Sequence, residues 1–470
     1  MNNKNKLLVF LPDGIGLRNF VFGNFHKTAK KHNYYITYWN NTQYPINEKL
    51  GLDEIKIKKA KNHFFSDLIK RTKKEIELKK SFIKTNDKAY LSYIFKVSNN
   101  SFKQVVKNLI VKYLILTNSY EKSVEKLFLK IAKHERKTAY YKQSLKTLEK
   151  EKPNFLFCTN QRPILAVAPM LAARDLNIPT AVFIFSWDNL PKGMLVVEAD
   201  YYFVWSTHMK NELLYYYSNI KESQIRITGS PQFEGHFDDI NIESKQIFFS
   251  KHNLDLSKKY ILFSGDDITT SPYDHFYLED IAKIVRDKNK NYDSKLGIIY
   301  RKCPVDFTGR HLSVVEDYKD VIVCIDPLWE NHGNSWDTVM PLKEDNQLLA
   351  NTIRYSELII NVGSSMAFDA VSHNKPCAYI NYNNKKGDIK KWNIGDIYKY
   401  IHFKSMPSKD AVLWVNTKED YSIVLDEVLK GDFKLEQTKK WFSKINNFPK
   451  DSSEEIYRTI NSIILNNSKI

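Results

Sequence analysis

The sequence predicts an α/β protein with two doubly wound domains of similar size, and three observations support this. Short continuous apolar runs, which are typical of buried parallel strands, alternate with helical patterns in both halves of the chain. A polar stretch at 234–246 interrupts the alternation, which then begins again. The 470 residues also exceed the roughly 250–300 that one hydrophobic core supports. We therefore expect an N-terminal domain over 1–240, a C-terminal domain over 247–440, and helices over 441–470 that could pack back on the first domain.

Composition indicates a folded protein of a reducing compartment. Hydrophobic residues make up 43% of the chain, which argues against global disorder. The four cysteines are far apart and form no CxxC pair, so neither a disulfide framework nor a zinc site is expected. The first apolar run is too short for a signal peptide, and no stretch approaches the ~20 apolar residues of a membrane span. These observations predict a cytoplasmic location.

Residues 51–150 form a basic block. They contain 25 Lys and Arg against 10 Asp and Glu, a balance of +15 out of +17 for the whole chain. The block contains no proline, only one glycine, and helical periodicity throughout, so we predict a helical insertion in the N-terminal domain. Its basic face is either solvated or docked on an anionic membrane surface. Nucleic acid is disfavoured as a partner, because no nucleic-acid-binding motif is present.

Within that block, 101–118 interleaves lysines with apolar residues. One helical stripe is predicted to comprise Val105, Val106, Leu109, Ile110, Tyr113 and Leu114, with Lys103, Lys107 and Lys112 off it.

The segment LPDGIGLRN (11–19) follows the first predicted strand. Asp13 ends that strand, Gly14 opens the turn, and Arg18 and Asn19 lie at the start of a helix. The third glycine of a dinucleotide fingerprint is missing. An acid at the carboxyl end of a strand could deprotonate an acceptor hydroxyl, with Gly14, Arg18 and Asn19 contacting substrate. A helix-capping aspartate is the alternative.

The segment FSWDNLPKG (185–193) follows another buried strand of the first half. Polar side chains beside an indole suit a sugar, because sugar rings pack on aromatic faces and their hydroxyls bond to Asp and Asn. The candidate contacts are Trp187, Asp188, Asn189 and Lys192. The alternative is a turn with Asp-Asn chemistry and a structural tryptophan.

In the second half, IINVGSSMAFD (359–369) runs from a strand into a helix. A glycine and two serines at this point suit a phosphate, since a helix N-terminus offers free N–H groups and a partial positive charge. Gly363, Ser364 and Ser365 are therefore candidate phosphate contacts, and Asp369, one turn later, is a candidate ligand of the ribose hydroxyls. An ordinary N-cap serine and a solvated aspartate are the alternative.

Two other strand ends of the second half carry candidates. Arg301 and Lys302 follow the strand in IIYRKCP and could neutralise a departing diphosphate, although a surface pair is the alternative. Gly265 lies in FSGDD, a loop that could cradle phosphates. Trp329 or Trp336 could stack on a base, or either could belong to the core.

These segments together resemble the GT-B glycosyltransferases, in particular bacterial enzymes of surface-polysaccharide assembly such as capsule and lipopolysaccharide. DYYFVWSTHMKNEL followed by RITGSPQF is similar to the end of their acceptor domain, and SELIINVGSSMAFDAVSHNKPCAYINY to their donor segment. The resemblance implies two Rossmann-like domains facing a cleft, phosphate contacts at Gly363–Ser365 and a ribose ligand at Asp369. Cys303 replaces the histidine that related enzymes have in YRKCP, which leaves more of the phosphate role to Arg301 and Lys302.

The main hypothesis is a metal-independent glycosyltransferase that moves a sugar from a nucleotide-sugar donor to a glycan or lipid-linked acceptor. The nucleotide sugar is then a substrate, no further cofactor is expected, and Asp13, Arg301 and Lys302 are the catalytic candidates. A sugar-nucleotide epimerase or a teichoic-acid-type glycerophosphotransferase on the same fold is the first alternative. A non-catalytic protein that binds membrane or polyanion is the second. A lipid-linked acceptor would place the protein at the inner face of the plasma membrane.

Overall fold

The computed structural model describes residues 5–94, 100–118, 123–291, 295–333 and 338–467; Trp336 lies outside them. The chain divides into two compact units, one formed by 1–232 and 445–470 and the other by 233–444. Each unit is built on one parallel sheet flanked by helices, which confirms the predicted fold class of two Rossmann-like α/β units.

The first unit contains a seven-stranded sheet in the order β3-β2-β1-β4-β5-β6-β7, and every neighbouring pair is parallel. Leu7 to Leu11 of the interior strand β1 are completely buried, as expected where helices cover both faces of a sheet. The strands are β1 (Asn5–Leu11), β2 (Tyr34–Asn40), β3 (Glu54–Lys56), β4 (Phe155–Cys158), β5 (Thr180–Phe183), β6 (Tyr201–Val204) and β7 (Ile225–Ile227).

The helices of this unit differ from the predicted pattern after the first strand. The sequence predicts one helix there, whereas two form, because Gly23 adopts an extended conformation (ψ −162°) between them. The helices are α1 (Ile15–Phe20), α2 (Asn24–Lys31), α3 (Ile46–Leu50), α4 (Phe64–Thr85), α5 (Ala89–Ser92), α6 (Phe102–Thr117), α7 (Ser123–Glu135), α8 (Ala139–Glu151), α9 (Val167–Asp175), α10 (Thr207–Tyr216) and, from the end of the chain, α19 (Ser452–Asn467).

The basic block is helical from α4 to α8, but it also contains a strand. β3 lies inside the range where we predicted helical periodicity throughout, and it pairs with β2 from Tyr38–Glu54 to Asn40–Lys56. A three-residue edge strand is too short to produce its own periodicity, so its partner strand decides the conformation. Among the described residues, no helix is both long and apolar enough to cross a membrane.

The last helix, α19, packs on α2 in the first unit. Tyr457 stacks on Phe25 with ring centroids 4.8 Å apart, and the Nε2 of His32 donates to the Glu454 carboxylate at 2.8 Å. The Tyr34 hydroxyl donates to Asn461 Oδ1 at 2.6 Å.

The second unit contains a six-stranded parallel sheet in the order β10-β9-β8-β13-β14-β15 and a separate antiparallel pair. The sheet strands are β8 (Lys259–Ser264), β9 (Leu296–Arg301), β10 (Ile322–Cys324), β13 (Ser356–Asn361), β14 (Cys377–Ile380) and β15 (Leu413–Val415), and the pair is β11 (Trp329–Asn331) and β12 (Val339–Pro341). The helices are α11 (Lys245–Lys251), α12 (Asp274–Asn291), α13 (Leu312–Asp317), α14 (Asp345–Arg354), α15 (Met366–Ser372), α16 (Ile394–Ile397), α17 (Asp420–Lys430) and α18 (Glu436–Ile445).

The stretch predicted as a linker, 234–246, is partly buried in the second unit. It follows Phe233, which packs on Phe368 and Phe442, and it contains the buried side chains of Glu234 and His236. Short 3-10 helices cover Pro231–Phe237 and Asp239–Asn241. Polar composition predicts exposure only where the side chains have no partner in the fold, and His236 has two, described below.

Candidate functional site

The three strand ends singled out in the second half lie side by side at the carboxyl edge of the second unit's sheet. β9, β8 and β13 are neighbours and run parallel, so their last residues reach the same edge. The Gly265 amide donates to the Arg301 carbonyl at 2.8 Å, and the Val362 amide donates to Asp266 Oδ2 at 3.2 Å. The structure thus brings together the loop after β8, the end of β9 and the turn before α15.

The turn at 361–366 is held by a hydrogen bond within the turn and by another from the neighbouring strand β14. Asn361 Oδ1 accepts from the Ser364 amide at 2.8 Å, and the Tyr379 hydroxyl donates to the Ser364 carbonyl at 2.6 Å. Gly363 has φ +64°, and a Cβ there would lie 3.0 Å from the Phe403 ring, so both conformation and space require glycine. Ser365 precedes α15 and makes no side-chain capping bond. Its hydroxyl is therefore not committed to the ordinary N-cap role.

Asp369 is buried and its carboxylate belongs to a chain of two histidines. Oδ1 accepts from the Nε2–H of His236 at 2.8 Å, and the Nδ1 of His236 lies 3.0 Å from the Nε2 of His373. Because Nε2 of His236 donates to the carboxylate, its Nδ1 in the neutral ring accepts from His373. The alternative of a solvated aspartate at 369 is therefore wrong. His236 holds the carboxylate in place and leaves Oδ2 for another partner.

The histidine chain predicts a pH-dependent stability. Burial, and secondly the neighbouring His236, lowers the pKa of His373 to about 3. In the unfolded chain the group titrates near pH 6.5, so the unfolded state binds the extra proton first as the pH falls. The free energy of unfolding should therefore decrease as the pH drops below about 6.5 and continue to decrease towards pH 3. At pH 5, we expect His373 to lower the free energy of unfolding by about 2 kcal/mol.

Urea unfolding at pH 7 and at pH 5 measures this effect, with His373→Gln as the comparison. The variant should lose less stability between the two pH values than the natural sequence. An equal loss in both proteins would contradict the assignment to His373.

Arg301 is buried and is paired within the unit. Its Nη2 donates to Asp345 Oδ1 at 2.6 Å, and Asp345 also accepts from the Leu328 amide and from the Trp329 indole N–H, both at 2.8 Å. Lys302 directly follows β9, and its ammonium forms an ion pair with Asp326 at 3.0 Å, with both side chains about half exposed. Of the two predicted cations, Arg301 has a buried guanidinium, and only Lys302 exposes its charged group to solvent.

A buried polar cluster lies under the loop after β8, and the sequence did not reveal it. It comprises Asp274 at the start of α12, Tyr300 of β9, and Arg310 and His311 before α13. The Arg310 Nη1 donates to the Ser271 carbonyl at 2.6 Å, and His311 Nε2 lies 3.6 Å from Asp274 Oδ2. In this cluster and the adjoining Ser271, five buried atoms make no hydrogen bond: Ser271 Oγ, Asp274 Oδ1, Tyr300 Oη, Arg310 Nε and His311 Nε2.

Unsatisfied buried polar atoms cost free energy, so such a group needs a physical explanation. A polar ligand at the edge of the sheet would supply partners. Burial, and secondly the Asp274 carboxylate, raises the pKa of Asp266 well above its usual range, which favours a neutral carboxyl group beside the 361–366 turn. A neutral group there tolerates a nearby anion better than a carboxylate does.

In the first unit, Asp13 lies at the carboxyl edge of the sheet, directly after β1. Its side chain is buried, and Oδ2 accepts from Asn160 Nδ2 at 2.7 Å. Gly14 precedes α1, Arg18 is half-buried and Asn19 is buried on that helix. Asn160, which follows β4, was not identified from the sequence as a partner of Asp13.

The predicted sugar-binding loop is bonded internally and to the loop after β4. Asp188 accepts from Ser186 Oγ and from Asn189 Nδ2, both at 2.7 Å, and from the Lys192 ammonium. The buried Gln161 donates from Nε2 to Asn189 Oδ1 at 3.0 Å. Asn189 and Trp187 are themselves buried, whereas Asp188 and Lys192 are half-buried. Asp188 and Lys192 are thus the members of this loop that an incoming ligand can contact most readily.

Metal-ligating side chains do not converge in the part of the chain that the structure describes: no group of three His, Cys, Asp or Glu residues is arranged to hold an ion.

Comparison with known proteins shows the fold. No protein-family model matches the chain. No curated protein matches it either. Among solved structures, a protein of Listeria monocytogenes described as a UDP-N-acetylglucosamine 2-epimerase aligns with a TM-score of 0.55 at 11% identity, over 98% of this chain and 96% of that one.

Two further solved structures give similar values. Another UDP-N-acetylglucosamine 2-epimerase aligns with a TM-score of 0.52 at 13% identity, over 99% of this chain and 96% of that one. The UDP-GlcNAc 2-epimerase of Methanocaldococcus jannaschii aligns with a TM-score of 0.50 at 16% identity, over 97% of this chain and 99% of that one. At these identities the likeness concerns architecture: two Rossmann-like units of the GT-B type.

Proposed function

We propose that the protein is an enzyme that acts on a nucleoside diphosphate sugar, and that it transfers the sugar to an acceptor. The observation that carries the proposal is the meeting of the 361–366 turn with the loop after β8, through the bond between the Val362 amide and Asp266. The turn offers backbone N–H groups and two serine hydroxyls at the carboxyl edge of a parallel sheet, where phosphates bind in such folds.

The chemistry assigned to each residue follows from its position. The turn residues Gly363, Ser364 and Ser365 would hold the diphosphate, and Lys302 would place an ammonium near the charge that develops on the leaving group. Asp369, held by His236, would accept from a ribose hydroxyl through Oδ2. Asp13, in the first unit, would take the proton from the acceptor hydroxyl. Arg301 would act indirectly, because its guanidinium is bound by Asp345.

Epimerisation is the second candidate, and the fold comparisons favour it, since the three solved structures named above carry that activity in their descriptions. Epimerisation needs the same nucleotide site but no acceptor. Glycerophosphate transfer would use a nucleoside diphosphate glycerol at the same place. Sugar transfer to a lipid-linked acceptor has separate support from the first unit, where the helix α6 carries exposed apolar side chains among lysines.

The proposal predicts that a nucleoside diphosphate stabilises the protein. A thermal-shift screen with UDP, GDP, CMP, CDP and dTDP should give a clear rise in melting temperature with at least one of them. Mass action stabilises a protein by about 2.7 kcal/mol at a ligand concentration of 100 Kd. Asp369→Ala should reduce the ligand-induced rise, whereas Asp432→Ala, at an exposed position of the same unit, should not. If none of the nucleotides raises the melting temperature, the proposed function is wrong.

Product analysis then separates the reactions. Incubation of the matching nucleotide sugar without an acceptor should leave it unchanged in a transferase. A 2-epimer formed under those conditions would establish the second candidate instead.

A further inference from the structure

The helix α6 presents an apolar stripe to solvent. Its five large apolar side chains recur at intervals of four, three, four and three residues, which is the spacing of one helix face. Their exposed fractions are 85% for Phe102, 38% for Val106, 59% for Leu109, 66% for Tyr113 and 80% for Leu116. The sequence predicts a stripe of Val105, Val106, Leu109, Ile110, Tyr113 and Leu114. The exposed stripe keeps Val106, Leu109 and Tyr113 but has Phe102 and Leu116 in place of the other three.

The opposite face of α6 attaches the helix to its unit. Asn108, Val111 and Ile115 are buried, and the Arg71 guanidinium of α4 donates to Asn108 Oδ1 at 2.8 Å. Phe64 of α4, which is 55% exposed, adds to the apolar surface, because the Lys107 ammonium lies 5.8 Å from its ring centroid. The stripe is therefore a second apolar face on a helix whose packing face is already used.

The charges that α6 itself places beside the stripe are all positive. α6 contains Lys103, Lys107 and Lys112 and no acidic residue. The surrounding block, 51–150, carries a balance of +15. An apolar line flanked by lysines is the arrangement of a helix that lies in the plane of a membrane interface, with its apolar side chains at the acyl boundary and its cations among the head groups.

Other occupants fit these observations less well. A second copy of the chain would bring the same positive block against this one, so the charges would repel. A nucleic acid would pair with the lysines but would leave the exposed phenylalanine and leucines in contact with a highly charged backbone. An anionic bilayer complements both the charge and the apolar surface.

We propose that the first unit docks on anionic lipid bilayers through this docking face, defined as Phe102, Val106, Leu109, Tyr113, Leu116 and Phe64 with the flanking Lys103, Lys107 and Lys112. The docking is peripheral: the stripe enters the interface, and none of the described helices is long and apolar enough to span the bilayer. It stands independently of the nucleotide chemistry proposed above, and vesicle binding is measured without any nucleotide.

Vesicle co-sedimentation of the full chain tests the proposal. The protein should bind mixed phosphatidylglycerol–phosphatidylcholine vesicles and should bind phosphatidylcholine vesicles much less. Leu109→Glu with Leu116→Glu should weaken binding more than about tenfold, because both side chains would leave the acyl boundary. Lys103→Gln with Lys112→Gln should weaken it by about fivefold for each lysine and should reduce the sensitivity to salt.

A matched control is available in the second unit. Ile423→Glu with Lys430→Gln changes one exposed apolar residue and one exposed lysine of α17, and it should leave vesicle binding unchanged. Since all the altered side chains are exposed, the melting temperatures of the variants should match that of the natural protein.

Three outcomes would overturn the proposal. One is the absence of binding to anionic vesicles. Another is binding that the α6 variants retain in full, which would place the contact elsewhere. The third is a dimer in light scattering that the Leu109→Glu and Leu116→Glu variant converts to a monomer, which would make a second copy the occupant. A nucleotide-induced thermal shift that persists with any of these results would leave the proposed function standing.

Discussion

Replacement of Arg301 by methionine is expected to lower the free energy of unfolding by about 3–5 kcal/mol. The physical reason is the environment of Asp345, whose carboxylate is buried and forms an ion pair with that guanidinium. Without Arg301, the carboxylate would retain only the Leu328 amide and the Trp329 indole as donors. An uncompensated charge in a protein interior is far more costly than an intact pair is stabilising. Urea unfolding of the full chain gives the change.

Lys302→Met is the matched control, because it removes the adjacent cation at a half-exposed position. Its ion pair with Asp326 is open to solvent, so we expect a change of at most about 1 kcal/mol. Asp345→Asn should be destabilising by an amount similar to that of Arg301→Met, since it leaves the guanidinium without its partner. An Arg301→Met protein of normal stability that lacks turnover would show that Arg301 acts on the leaving group directly.

Asp13→Asn is expected to reduce turnover by about 10²–10⁴-fold, the usual contribution of a general base. An amide at this position retains the shape and can still accept from Asn160, but it cannot take a proton. The nucleotide-induced rise in melting temperature should be unchanged, because the nucleotide site proposed here lies in the second unit. Both measurements are made on the same purified variant.

The control for this substitution is Asp200→Asn. Asp200 lies just before β6, at the amino edge of the same sheet, and its carboxylate accepts from Thr180. The Asp200→Asn substitution should lower the free energy of unfolding but leave the turnover of each folded molecule unchanged. Full activity in Asp13→Asn would remove the catalytic assignment and leave Asp13 as a structural partner of Asn160.

The features that the sequence predicts correctly are those with local signals. The run KLLVFLP becomes the buried interior strand β1, and β8, β9 and β13 end at Ser264, Arg301 and Asn361, where apolar runs stop. Their convergence follows from parallel neighbours sharing one edge. The order of the strands, however, depends on pairing between distant segments, which no local pattern reports. The edge strand β3 was missed for that reason.

The partners of the candidate residues were not predictable in the same way. Arg301 pairs with Asp345, 44 residues further along the chain, and Asp369 bonds to His236, 133 residues before it. Nothing near either residue in the sequence identifies the other. Periodicity on α6 showed an amphipathic helix but not which face is covered, because that depends on where Arg71 and α4 lie.

The position of α19 has a consequence for synthesis of the chain. Phe25 and Tyr34 emerge from the ribosome early, but the helix that covers them is translated much later, since Glu454 lies 422 residues after its partner His32. The sheet region at 233–444 can therefore mature first, although it is encoded second. A nascent chain that stalls before residue 452 would display an uncovered aromatic surface, the kind of feature that chaperones and proteases recognise.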